Sequence, residues 1–254
     1  MEDKNYTNIN AKTIDSWVDE GWEWSIPITK EEFLKAKNGE CNVLLTPIKY
    51  VPKNWFPDLK NKKLLGLACG GGQQMPVFSA LGACCTVLDY SDKQLANEKL
   101  ISERENYQIE IVKGDMSKKL PFNDEVFDII FHPVSNVYVE DVYHVWNECF
   151  RVLKSGGILM AGLDNGLNFL FDDDEKLPLV VTNKLPFNPL KNKDQLKLLE
   201  KENAGIQFSH TMEEQIGGQL KAGFILKDLY EDYNNTGFLK EYVPTFVATL
   251  AVKP

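Results

Sequence analysis

Long apolar runs are missing from this 254-residue chain. None approaches the ~20 residues a bilayer-spanning helix needs, so no membrane partner is expected. Histidine is scarce: His132, His144 and His210 are scattered, form no ligand cluster, and give no reason to expect a metal. The five cysteines, Cys41, Cys69, Cys84, Cys85 and Cys149, are odd in number and show no C-x-x-C spacing. That pattern argues against a disulfide framework or a zinc site and predicts reduced thiols in a cytoplasmic protein. Basic stripes are absent too. With a formal net charge of −9, a nucleic-acid backbone is not an expected partner. The opening residues, Met1 to Tyr6, are polar and acidic and carry no signal-peptide core. There is no internal repeat and no low-complexity tract.

Present instead is enough apolar material for a sizeable core, 43% hydrophobic against 26% charged residues. The length suits one α/β domain of ordinary size with some additions. From Lys63 onward strand and helix signals alternate, which predicts a doubly wound, mostly parallel sheet. Strands are expected at Leu64–Ala68, at Thr86–Asp89, at Ile109–Val112, at Val126–Phe131 and at Ile158–Leu163. Two more are expected around Phe224–Leu226 and over Phe246–Val252, with Pro244 kept to the start of the last. Val142, Val145, Trp146, Cys149, Phe150 and Leu153 form one apolar stripe at helical spacing, stopped by Lys154-Ser155-Gly156-Gly157. Capping boxes at Thr29–Glu32, Ser91–Gln94 and Thr211–Glu214 mark helix starts.

Two segments stand outside the alternation. Residues 1–62 hold Trp17, Trp22, Trp24 and Trp55, and residues 165–208 form a long connection carrying the acidic run Asp172 to Glu175. Connections of that length inside a compact domain are usually functional. In open α/β sheets ligands bind at the carboxyl ends of strands, so an insert leaving the fifth strand starts on the ligand side. The expected division is a cap segment at 1–62, a binding core at 63–164, a lid insertion at 165–208, and the rest of the core sheet at 209–254.

Residues 64–72 read Leu-Leu-Gly-Leu-Ala-Cys-Gly-Gly-Gly, a strand running into a glycine turn, and the next strand ends at Asp89. Glycines let the backbone approach a ligand closely, and an acid in that place can accept from two ribose hydroxyls. Met75 stands where a nicotinamide-cofactor fingerprint would need its third glycine, and no Gly-Lys-Ser/Thr follows the turn. The pattern leans away from pyrophosphate ligands and toward an adenosine derivative without phosphates.

With these motifs, the chain resembles the class I S-adenosylmethionine-dependent methyltransferases, particularly the small-molecule, quinone-biosynthesis-like group. Further marks are Val-Leu-Asp-Tyr-Ser (87–91), Lys-Gly-Asp-Met (113–116), Leu-Pro-Phe (120–122), Phe-Asp-Ile-Ile (127–130) and Arg-Val-Leu-Lys-Ser-Gly-Gly (151–157). The resemblance implies a seven-stranded sheet whose last strand is antiparallel, and S-adenosylmethionine as cofactor. It implies that Ala68, Gly70 and Gly72 lie against the methionine part and that Asp89 takes the ribose hydroxyls. Tyr90 would pack on adenine, Asp115 would accept from its amino group, and Met116 would offer its N–H to the ring. His132 would line the methyl-transfer mouth. The family often has an acid where Gly66 stands and a glycine where Ala68 stands. The implied reaction is in-line methyl transfer to a small-molecule acceptor, for which a base is needed only if a proton must leave. His132, Tyr138 and Asp164 are the candidates. A non-catalytic cofactor-binding or interaction protein on the same fold is the alternative. The acceptor and the oligomeric state are not encoded in any motif.

Overall fold

In a computed structural model, residues 6–172 and 175–254 are described. Met1 to Asn5, most of the polar opening segment, and Asp173 and Asp174 of the acidic run lie outside the described residues. Seven strands form one sheet: β1 (Lys63–Leu67), β2 (Cys84–Asp89), β3 (Ile109–Lys113), β4 (Phe127–His132), β5 (Leu153–Asp164), β6 (Ile225–Asp232) and β7 (Phe246–Val252). Their order is β3-β2-β1-β4-β5-β7-β6, with β7 antiparallel to both neighbours and the pairs from β3 to β5 parallel. The chain reverses its winding direction between β1 and β4, which opens a crevice at the carboxyl ends of these strands.

The helices are α1 (Tyr6–Asp19), α2 (Lys30–Lys37), α3 (Met75–Ala80), α4 (Asp92–Glu105), α5 (Val142–Val152), α6 (Lys193–Glu202) and α7 (Met212–Ala222). Alternation along β1 sends Leu64 to one face of the sheet and Leu65 and Leu67 to the other. The first face packs on α2, α3 and the 43–59 stretch, through Phe78, Val51 and Trp55. The second packs on α5, through Trp146, Val145 and Cys149. Each such side chain contributes roughly 1.5–3 kcal/mol by leaving water. The α5 stripe is buried as its spacing demands, with Val142, Val145, Trp146 and Cys149 at 1% exposure or less.

Local signals fix the boundaries. Thr29 and Thr211 make complete capping boxes with Glu32 and Glu214, and the Ser91 side chain accepts from Gln94 N. Pro76 lies in the first turn of α3, where a missing N–H costs least. Leu153 follows α5 directly and pairs with Phe127, but residues 154–157 then loop out of the ladder with Gly156 at φ +76°, and continuous pairing with β4 and β7 begins at Ile158, where the sequence places the strand. No helix among the described residues is long and apolar enough to cross a membrane.

Candidate active site

A cavity of about 660 Å³ lies in the crevice beyond β1, β2 and β4, within the range of roughly 300–1,000 Å³ occupied by small-ligand sites. Its floor is Ala68, Gly70, Asp89 and Gly114–Met116, and its walls come from every segment outside the core.

The turn after β1 is shaped for close approach. Ala68 takes φ +47°, a left-handed conformation that costs little for glycine and more for alanine, and its N–H donates to the Leu88 carbonyl at 2.8 Å. A Cβ on Gly70 would meet Gln94 Cβ at 2.7 Å and the Asp89 carboxylate at 3.0 Å, so no larger residue fits there. Gly66 leaves room for the Met75 side chain, whose sulfur would lie 2.6 Å from a Cβ at that position. A thioether fills the place of the family's acid.

Asp89 ends β2 with its carboxylate facing the cavity. Oδ2 accepts from Gly70 N at 3.0 Å and Oδ1 from Ser91 N at 3.0 Å, leaving acceptor capacity on both oxygens. Burial pushes this carboxyl above its ordinary value, opposed by the Ser91 and Gly70 N–H groups, with the charge of Asp15 adding to the rise. Asp115 also lines the cavity, its Oδ1 fixed by the Ser117 N–H and hydroxyl at 2.9 and 2.7 Å. Tyr90 and Met116 complete this end. The Tyr90 hydroxyl donates to Asn8 Oδ1 at 2.6 Å, tying α1 across it.

Two expected site residues stand elsewhere. Gly72 does not line the cavity: its N–H donates to Glu98 Oε1 at 2.8 Å, and a Cβ would press on Ile101 and Pro27. It packs the turn onto α4. His132 is fully buried and does not line the cavity either. Its Nδ1 lies 2.9 Å from the Leu67 carbonyl, its Nε2 2.9 Å from the Asn136 side-chain amide, and its ring stands edge-on to Trp146. Burial holds the imidazole pKa down, against the two hydrogen bonds. Its place at the end of β4 suggested a reaction-centre group, but its side chain turns inward and locks β4 to β1. Tyr138, in the turn after β4, does line the cavity, and burial pushes its phenol well above the ordinary value. Asp164 lines a neighbouring cavity, described below.

Several lining groups carried no sequence signal. Gln94 lines the cavity and is 7% exposed; its Oε1 is buried against Gly71 of the turn and has no partner among the described residues. Asn10 and Ile14 of α1, together with Trp22 and Trp24, cover the floor, and the tryptophan density of the first segment was the one available hint. Gln73 Nε2 donates to the Glu23 and Ile26 carbonyls, and Ile28 N to the Gly72 carbonyl, lacing this cover to the glycine turn.

A glycine turn, a strand-end carboxylate with spare acceptor capacity and a second acid one strand over thus line one cavity at the carboxyl ends of the strands. The chain belongs to the class I S-adenosylmethionine-dependent methyltransferases. A methyltransferase-domain family model matches residues 65–161. The "Uncharacterized methyltransferase YbaJ" of Bacillus subtilis (strain 168) is 45% identical over 249 residues, 96% of this chain and 97% of that protein. The ubiquinone biosynthesis O-methyltransferase of Pelagibacter ubique (strain HTCC1062) is 27% identical, over 62% of this chain and 66% of its own length. In three dimensions, an S-adenosylmethionine-dependent methyltransferase from Mesorhizobium loti shares the fold, with TM-score 0.62 and 16% identity, covering 79% of this chain and 94% of that one.

Proposed function

We propose that this methyltransferase acts on a small-molecule acceptor, with the cofactor held by Ala68, Gly70, Asp89, Tyr90, Asp115 and Met116. The observation that carries this reading is the convergence of Asp89, Asp115 and the Gly70 backbone on one cavity closed by chain segments outside the core. S-adenosylmethionine, when bound, supplies a methyl group already activated by its sulfonium sulfur. The residues here fit that group: Asp89 keeps acceptor capacity for ribose hydroxyls, and the Gly70 backbone, bare of a Cβ because Gln94 and Asp89 pack against it, lines the cavity beside that carboxylate.

What remains for the protein is positioning and exclusion of water. Asn10 on α1 exchanges two hydrogen bonds with Ile206, at 2.6 and 2.9 Å, joining the 1–62 cap to the tail of the 165–208 insertion over the cavity. This zipper supports a lid role for both segments and favours a small acceptor over an extended one. Of the three base candidates, His132 is enclosed and spent on its own hydrogen bonds. Tyr138 retains its proton at neutral pH because its phenol is pushed up, so it serves as a donor that orients an acceptor. Asp164, pushed up by burial to about 6, is ionised near neutral pH and able to take a proton.

The test is release of S-adenosylhomocysteine from S-adenosylmethionine across a panel of small phenols, amines and thiols. Acceptor-dependent release is expected, with Tyr138→Phe lowering kcat about tenfold, the loss of one orienting hydrogen bond of ~1.4 kcal/mol. Release only with protein or nucleic-acid acceptors would contradict the reading.

A further inference from the structure

A second cavity, of about 340 Å³, shares an apolar rim of Val134, Val137, Phe171 and Phe246 with the first, together with Asn168 and the exposed carboxylates Asp172 and Glu202. Its far wall is apolar, built by Phe169 and Phe187 and by Leu198 and Leu199 of α6, all from the insertion. Inside this lobe stands one buried charge. Asp164 ends β5, paired in register with Phe246 at the start of β7, and is 5% exposed. Its Oδ1 accepts from Gly166 N at 2.6 Å and its Oδ2 from Asn168 Nδ2 at 2.7 Å, both neutral donors. Asn168 faces both cavities and is itself fixed by Asn234 Nδ2 at 2.8 Å.

Among the described residues no lysine, arginine or histidine lines either cavity, while carboxylates line both. A buried carboxylate holding only neutral donors lacks the counter-charge that repays its desolvation. An anionic acceptor entering this lobe would place like charges together at low dielectric, and a cationic or hydrogen-donating one would relieve the imbalance.

We propose that the side lobe is the acceptor subsite and takes an amine with an apolar body, its nitrogen at the Asp164–Asn168 pair and its body against Phe187 and Leu198. The inference rests on the methyltransferase reading of the main cavity. An ammonium first gives its surplus proton to solvent. The freed lone pair then forms the N–C bond to the methyl group while the C–S bond breaks, its electron pair staying on sulfur and the positive charge passing to nitrogen.

Calorimetric titration of the protein saturated with S-adenosylhomocysteine tests this, using a short series of phenylalkylamines and the carboxylates of matched length. The amines are expected to bind at least about tenfold more tightly. Asp164→Asn is expected to cut the difference at least about threefold, the exposed Asp172 and Glu202 accounting for what remains, and Leu198→Trp, which fills the lobe, to abolish amine binding, both with S-adenosylhomocysteine affinity kept. Equal binding of the two series, tighter carboxylates, binding of neither, or amine binding that survives Leu198→Trp overturns the proposal. Should Asp164→Asn fail to fold, the wild-type discrimination and Leu198→Trp decide. Failure of S-adenosylhomocysteine itself to bind would strike the cofactor reading instead, a separate outcome.

Discussion

Asp89 and Glu98 approach the glycine turn from opposite sides and do different work. Asp89 lines the cavity and accepts one backbone hydrogen bond on each oxygen, which leaves further acceptor capacity on both. Glu98, on α4, is wholly buried beneath the turn, with Oε1 accepting from Gly72 N and Oε2 unpartnered among the described residues. Burial drives its carboxyl to about 8, and the charge of Asp89 adds to the rise. Tyr107 and the thiols of Cys69 and Cys85 also feel its charge, and all are themselves pushed up. Because the folded value lies above the ordinary one, Glu98 favours the folded state fully below its ordinary value, and the contribution is lost as pH rises through about 8. Glu98→Gln keeps the Gly72 acceptor without the charge. Its melting temperature is expected to match wild type near ~pH 5 and exceed it near ~pH 9. Parallel pH profiles for the two proteins would contradict the buried-acid account.

At the scale of elements, the least obvious join is between the cap and the central sheet. The Leu45 carbonyl accepts from Val134 N at 3.2 Å and sits over Gly162 of β5, where a Cβ would lie 1.9 Å from that oxygen. Asp232 at the end of β6 accepts from Ile48 N and Lys49 N at 2.9 Å, pinning the same turn from the other side. Gly162→Ala therefore forces the 44–47 turn off the sheet. Overpacking of this kind costs about 1–3 kcal/mol, and at ~2–4 °C per kcal/mol a fall in Tm of several degrees is expected. An unchanged Tm by calorimetry would show that the contact is dispensable. Nothing in the sequence marked this join, since a glycine in a strand does not announce which backbone crosses it. The strands and caps were legible because their causes are local. Apolar runs next to Gly and Pro set β1, β2 and β4 to within two residues, and side-chain oxygens chose the starts of α2, α4 and α7. At the α5–β5 junction the glycine turn was read correctly as the point after which regular pairing starts, while the single pairing of Leu153 with Phe127 before it, and the bonds of Gly156 and Gly157 to Lys253, carry no local signal. The placement of α1 and α6 depends on tertiary partners such as Asn10 with Ile206, which no local pattern contains.

For the whole molecule, the sheet order places the crevice between β1 and β4, and everything outside the alternating core converges on it. The sequence pointed to the half of the candidate cavity lined by the turn after β1 and the acids after β2 and β3, because these residues sit in local strand–turn patterns. The other half was not. His132 occupied the right position on β4 with the wrong rotamer, while Gln94, Asn168 and the apolar lobe gather from segments far apart in sequence. On the proposed reading, acceptor choice would fall to that second half, which no local motif encodes.

Calorimetric titration of S-adenosylhomocysteine into wild type, Asp89→Ala and Asp115→Ala bears most directly on the central assignment. Each carboxylate accepts hydrogen bonds worth about 1.5–3 kcal/mol when charged. The wild-type protein is expected to bind one equivalent, Asp89→Ala to lose at least about tenfold in affinity, and Asp115→Ala to lose less but measurably. Unchanged affinity in both variants, or no binding by the wild-type chain, would contradict the placement of the cofactor at the Gly70–Asp89–Asp115 floor.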